Sequence, residues 1–209
     1  MSNARTVPRD TIPPLESGDV LTRAEFERRY DADPRVKRAE LIEGVVYVAS
    51  PIRAKYHGDP QAAVISWLGL YASKTAGVQV SGNSSLRLEG ENETQPDASL
   101  RKEHAGSSRI DEEGYIEGAP ELVVEIAASS ASYDLHQKLD LYRRNGVQEY
   151  IVWRVFDGEL DWFELRGGEY VGLAPDESGV IESRIFPGLR LAVSKLLGDD
   201  LAGVLTALG

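Results

Sequence analysis

The sequence contains no cysteine. Disulfide scaffolds, thiolate zinc sites, iron–sulfur clusters and cysteine nucleophiles are therefore excluded. Histidine is scarce too: His57, His104 and His136 are all there is, and their spacing fits no helical zinc motif. No apolar run approaches the ~18 residues that a membrane span needs. The polar, proline-bearing start lacks the apolar core of a secretory signal, so a soluble, cytoplasmic protein is expected. There is no Gly-x-Ser-x-Gly elbow, phosphate-binding loop or dinucleotide fingerprint. Serine hydrolases, nucleotide triphosphatases and nicotinamide enzymes are poorly supported as a result. Positive charge is in deficit, with 23 basic against 34 acidic residues and a net charge of −11. Proteins that simply coat nucleic acid are usually basic, so any contact with phosphate here has to be local.

What remains is ordinary for a globular chain: 209 residues, 42% hydrophobic and 27% charged, enough for one domain with a sizeable core. Residues 1–20 read as a flexible lead-in and 21–209 as a single domain. Thr22-Arg23-Ala24-Glu25 has capping-box spacing and opens a short helix over 22–30. Residues 39–49 read as two strands about Glu43-Gly44. Asp59-Pro60 opens a helix running to about residue 76, with Val64, Trp67, Leu68 and Tyr71 on one face. Strands are expected at 78–81, 85–88 and 96–100, followed by a polar loop over 101–113. Leu122-Val-Val-Glu-Ile-Ala127 is nearly all apolar, as a strand covered on both faces should be. A helix over 134–145 ends at Gly146 as its left-handed cap. A strand at 150–153, a tight turn at Asp157-Gly158 and a meander to residue 172 come next. A strand near 181–185 and a helix over 193–208 complete an α/β (α+β) architecture, a mixed sheet flanked by helices.

Glu125 interrupts the most apolar strand of the chain. A carboxylate there must be paired, hydrogen-bonded or metal-bound to offset its desolvation; a strand-end glutamate facing solvent or one basic partner is the alternative. Asp97, after Pro96, stands at the start of another strand. If those two strands are neighbours, two carboxylates meet at one sheet edge. Two hard oxygens and a backbone carbonyl suit Mg²⁺ or Mn²⁺. Lys138 lies beside the helical stripe of Leu135, Leu139 and Tyr142. A lone lysine there is ordinarily one that snorkels over the core edge, but opposite two carboxylates its ammonium could orient a water or stabilise a phosphoryl oxygen.

The order Pro96-Asp97, Leu122-Val-Val-Glu125, then Tyr133-Asp-x3-Lys-x3-Tyr-x3-Gly-Val-x-Glu-Tyr150 resembles the Uma-two family of endonucleases. That family is a branch of the PD-(D/E)XK, restriction-endonuclease-like superfamily. Glu40-Leu-Ile-Glu-Gly44, Ser50-Pro51, His57 and Phe186-Pro-Gly-Leu189 extend the similarity over most of residues 21–197. The resemblance implies a mixed sheet carrying Asp97 and Glu125 on adjacent strands, with an Mg²⁺ (or Mn²⁺) ion held by Asp97, Glu125 and the carbonyl of Ile126. Glu40 would join the metal directly or through water. Lys138 would replace the lysine that the family pattern lacks two residues after the glutamate, where this chain has Ala127. His57, Gln95 and Asp134 fall at or beside motif positions and are implied as supporting residues. Gln95 departs from a common arginine, Ala127-Ala128-Ser129 replaces a usual Leu-Ser-Pro, and Ile151 and Trp153 replace a Trp and an Asp; none of these removes an implied ligand.

The reading that follows is a metal-dependent endonuclease acting on phosphodiester bonds of nucleic acid, DNA in particular. Its competitor is a catalytically inactive nuclease fold used for binding or assembly, which the acidic surface and the altered segment after Glu125 favour. A weaker alternative is another hydrolase using the carboxylates as an acid/base pair. Edge strands in the 150–173 meander suggest a homodimer.

Overall fold

The structure, a computed structural model, describes residues 12–49, 53–128 and 131–208. Ser50-Pro51, Ser129 and the first eleven residues of the lead-in lie outside the described residues. Within the described part of the lead-in, Leu15 is anchored to the domain. Leu15 is buried with Phe26, Ala39, Leu41 and Val46, and the Gly18 N–H donates to the Val46 carbonyl at 2.8 Å.

Helix α1 (Arg23–Ala32) starts where the capping residues place it, with Thr22 Oγ1 accepting from the Glu25 N–H. β1 (Ala39–Ile42) and β2 (Val45–Val48) form a hairpin. Glu43 and Gly44 both take positive φ there, 53° and 74°, the geometry of a turn that matches strand twist. A π-helical turn (Ala54–Gly58) leads into α2 (Asp59–Lys74), which buries Val64, Trp67, Leu68 and Tyr71.

Seven strands follow before the next helix. They are β3 (Val78–Ser81), β4 (Leu86–Leu88), β5 (Asn92–Thr94), β6 (Ala98–Lys102), β7 (Arg109–Ile110), β8 (Ile116–Glu117) and β9 (Leu122–Ala127). The connection from β9 to β10 (Glu149–Arg154) is helical: α3 (Ala131–Tyr133), a second π-helical turn (Asp134–Lys138) and α4 (Leu139–Arg144). Gly146 caps its end at φ 81°. β11 (Glu159–Arg166) and β12 (Glu169–Gly172) make the meander, and β13 (Val180–Glu182) pairs with β14 (Arg190–Ala192). The expected single terminal helix is two, α5 (Val193–Leu197) and α6 (Leu201–Thr206). It breaks at Asp199, where φ is 57°, and Asp200 recaps it by accepting from the Gly203 N–H at 2.9 Å.

The strands form two six-stranded sheets rather than one, in the orders β2-β1-β5-β4-β8-β7 and β12-β11-β10-β9-β6-β3. The chain passes from the first sheet to the second through Gln95, Pro96 and Asp97, between β5 and β6. In the second sheet β9 runs parallel to β10 and antiparallel to β6. Side chains of a strand alternate between faces. Leu122, Val124 and Ile126 accordingly join the cluster under α2, while Val123 and Ala127 join the one around Leu141, Tyr142 and Tyr150. Glu125 shares the parity of the second group. It therefore points at the helical connection carrying Lys138, a placement set by period two alone.

Candidate active site

Asp97, just before β6, and Glu125, on the neighbouring β9, line a cavity of ≈ 840 Å³ together with Arg38, Glu40, His57, Asp134 and Lys138. Asp97 occupies the bend entering β6 and is 1% exposed; Glu125 is 2% exposed. The two strands pair with Ala98 opposite Val124, which brings Asp97 close to Ile126. The Ile126 N–H donates to Asp97 Oδ2 at 2.7 Å. The other oxygen, Oδ1, accepts from Arg38 Nη1 at 2.7 Å and lies 3.0 Å from His57 Nε2.

Lys138 is 3% exposed, turned inward from the π-helical turn. Its Nζ donates to Glu125 Oε1 and Glu40 Oε1, both at 2.9 Å, and stands 3.7 Å from Asp134 Oδ1. The Tyr142 hydroxyl donates to Glu125 Oε1 at 2.9 Å. Glu40, on β1, also accepts from the Gln95 N–H at 2.8 Å. Lys138 thus ties a carboxylate of the first sheet to one of the second.

The structure brings Asp97, Glu125, Lys138, Glu40, His57 and Asp134 together. Gln95 is the exception. Its backbone contributes, but its side-chain amide turns away to the Tyr30 hydroxyl and Ser85 Oγ, each at 3.2 Å. The sequence reading assigns no role to Arg38. A signal was present: Arg38 lies two residues before Glu40 in an extended segment, so the two side chains share a face. The Arg38 guanidinium also donates to the Gln95 carbonyl.

The two carboxyls are pushed apart. Burial alone would raise Asp97, but the His57 hydrogen bond, the charges of Arg38 and His57 and the Ile126 N–H hold it below its ordinary range. Burial pushes Glu125 up to about 8, against the pull of Lys138 and with the help of Asp97, Asp134 and Glu40. Lys138 is the reverse case. Burial would discharge it, yet Glu125 and Glu40 hold its pKa well above the usual lysine value. Two adjacent carboxyls whose pKa values are pushed in opposite directions are the arrangement from which acid/base roles are built.

Among the described residues, no group of three or more His, Asp or Glu side chains is gathered in a metal-ligating arrangement. The donor chemistry nonetheless fits a hard divalent cation. Asp97 and Glu125 face one shared positive charge, the Arg38 guanidinium, at 2.7 Å from Asp97 Oδ1 and 3.8 Å from Glu125 Oε2.

Residues 23–194 match the Uma2 family, described as "Putative restriction endonuclease". The structure resembles a crystal structure of a "putative nuclease belonging to DUF820" from Anabaena variabilis ATCC 29413. The TM-score is 0.65 at 16% sequence identity, covering 90% of this chain and 99% of that one. No curated protein matches the chain.

Proposed function

Because the chain belongs to the Uma2 family, we propose that it is a metal-dependent endonuclease hydrolysing phosphodiester bonds of nucleic acid, with DNA as its substrate. The observation that carries this reading is the convergence of Asp97, Glu125 and Lys138 in one cavity, with Lys138 bridging Glu125 and Glu40 at 2.9 Å.

In this reading Asp97, Glu125 and the carbonyl of Ile126 hold Mg²⁺ or Mn²⁺, with Glu40 joining directly or through water. A bound divalent ion there supplies a water of lowered pKa and polarises a phosphate oxygen. The chain's own groups do the rest. His57 and the Ile126 N–H fix the Asp97 carboxylate and keep it ionised. Lys138, held between Glu125 and Glu40, keeps an ammonium where it can orient the attacking water or stabilise charge on a phosphoryl oxygen. Arg38 offers a planar fork of donors that suits phosphate. A homodimer is part of the same proposal: β12 pairs only with β11 among the described strands and leaves Val171 exposed on a free edge.

The test is cleavage of plasmid and single-stranded DNA by the purified protein in EDTA, Mg²⁺ or Mn²⁺, beside Asp97→Ala. The expected result is metal-dependent cleavage by the wild type and none by the variant, whose circular dichroism matches that of the wild type. An Asp97→Ala protein that cuts at the wild-type rate would overturn the assignment. Folded wild type that fails to cut in the presence of either metal would move the chain to the binding-module reading.

A further inference from the structure

Phe156 is 59% exposed, and it is the one aromatic side chain in the exposed class among the described residues. Leaving a phenyl ring in water forgoes its burial free energy, so its position asks for a partner. The ring stands on the four-residue loop 155–158 between β10 and β11, a wider turn than Asp157-Gly158 alone. It meets Tyr56, on the π-helical turn before α2, with ring centroids 5.0 Å apart. Both rings line the mouth of the cavity that holds Asp97 and Glu125.

Cations stand beside this pair although the chain is strongly acidic. Lys55 Nζ lies 5.5 Å from the centre of the Tyr56 ring, and Arg53 and Arg38 line the same cavity. The loop's nearby carboxylates are occupied elsewhere: Asp157, Glu159 and Asp161 all converge on Arg154. Aromatic faces beside cations are what unpaired bases and their phosphates bind, because every base has a stackable face. Size points the same way. A cavity of ≈ 840 Å³ has room for a ligand of small-molecule dimensions, hence a nucleotide or two and not a stretch of duplex.

We propose that Tyr56 and Phe156 form a stacking platform for an unpaired base, and that the DNA this site engages is single-stranded next to the bond to be cut. This rests on the phosphodiesterase reading for its substrate and deepens it.

The experiment measures binding by fluorescence anisotropy in EDTA at low salt, using a fluorescein-labelled single-stranded deoxyoligonucleotide and a blunt duplex of the same sequence. Wild type, Phe156→Ala and Phe156→Trp are compared; the exposed position makes misfolding an improbable outcome, and circular dichroism checks it. Phe156→Ala should weaken single-strand binding by about fivefold or more, and Phe156→Trp should restore it. The duplex should bind more weakly than the single strand and be insensitive to both changes. Equal single-strand affinity of wild type and Phe156→Ala, a wild-type preference for duplex, or no binding of single strands at all would overturn the proposal. So would a Phe156→Ala change that alters sedimentation and leaves oligonucleotide affinity alone, since the ring would then be a contact between copies. Cleavage is scored separately. Stacking-dependent binding without cleavage in any metal keeps the platform and removes the nuclease; metal-dependent cleavage indifferent to Phe156 does the opposite.

Discussion

Lys138 is the residue on which the site's electrostatics turn. Its ammonium is fully enclosed and faces three carboxylates, with Glu125 and Glu40 at 2.9 Å and Asp134 at 3.7 Å. Removing one member of such a cluster leaves the others buried and uncompensated, a loss of about 3–5 kcal/mol in comparable buried pairs. Lys138→Met keeps the length of the stem and deletes only the charge. Its urea unfolding midpoint should fall well below the wild-type value, whereas a change within experimental error would mean that the carboxyls simply take up protons. Much of this was legible beforehand. A glutamate inside Leu122-Val-Val-Glu-Ile-Ala127 must have a partner, and the stripe of Leu135, Leu139 and Tyr142 put Lys138 near the sheet. Arg38 was not legible because arginine beside Lys37 reads as surface. Only the fold brings Asp97 to it, 59 residues away along the chain.

Among the elements, β5 is the one that sequence patterning hides. Asn92, Glu93 and Thr94 are all polar and all buried, so neither alternation nor β-branched enrichment marks the strand. β7 and β8 are two residues each, too short for any period to register. These three strands are why the first sheet went unseen and one sheet was expected. By contrast, the hairpin at Glu43-Gly44 and the cap at Gly146 were readable because positive φ has a residue signature. The hidden strand has a measurable consequence. Burial first, then the nearby Glu27, pushes Glu93 up to about 7 from its ordinary 4.5. The folded state therefore holds the proton more tightly than the unfolded one. The resulting stability is full below about pH 4.5 and is lost as pH rises through about 7. Glu93→Gln should flatten that slope and leave the variant more stable than wild type above pH 7, by about 1–3 kcal/mol. Urea midpoints measured on either side of neutrality check the sign. A variant with the wild-type pH profile would place the proton elsewhere.

For the whole molecule, a net charge of −11 sets the terms on which nucleic acid can approach. The cations at the cavity mouth are few, Arg38, Arg53 and Lys55, so few condensed counterions can be released. The slope of log affinity against log salt should be about −2 for single-stranded DNA. A titration giving a slope steeper than about −5 would mean that many more cations than these three meet the strand. No helix among the described residues is long and apolar enough to cross a membrane. Of the several connections between the two sheets, two lie at the site: the three-residue link Gln95 to Asp97, and Lys138, which grips Glu40 on one sheet and Glu125 on the other. Hydrogen bonds lose strength steeply with length and angle. Rotating one sheet slightly against the other therefore detunes both carboxylates in the same instant. The site behaves as a clasp whose tension reports the angle between two plates, and whatever steadies either plate also sharpens the clasp.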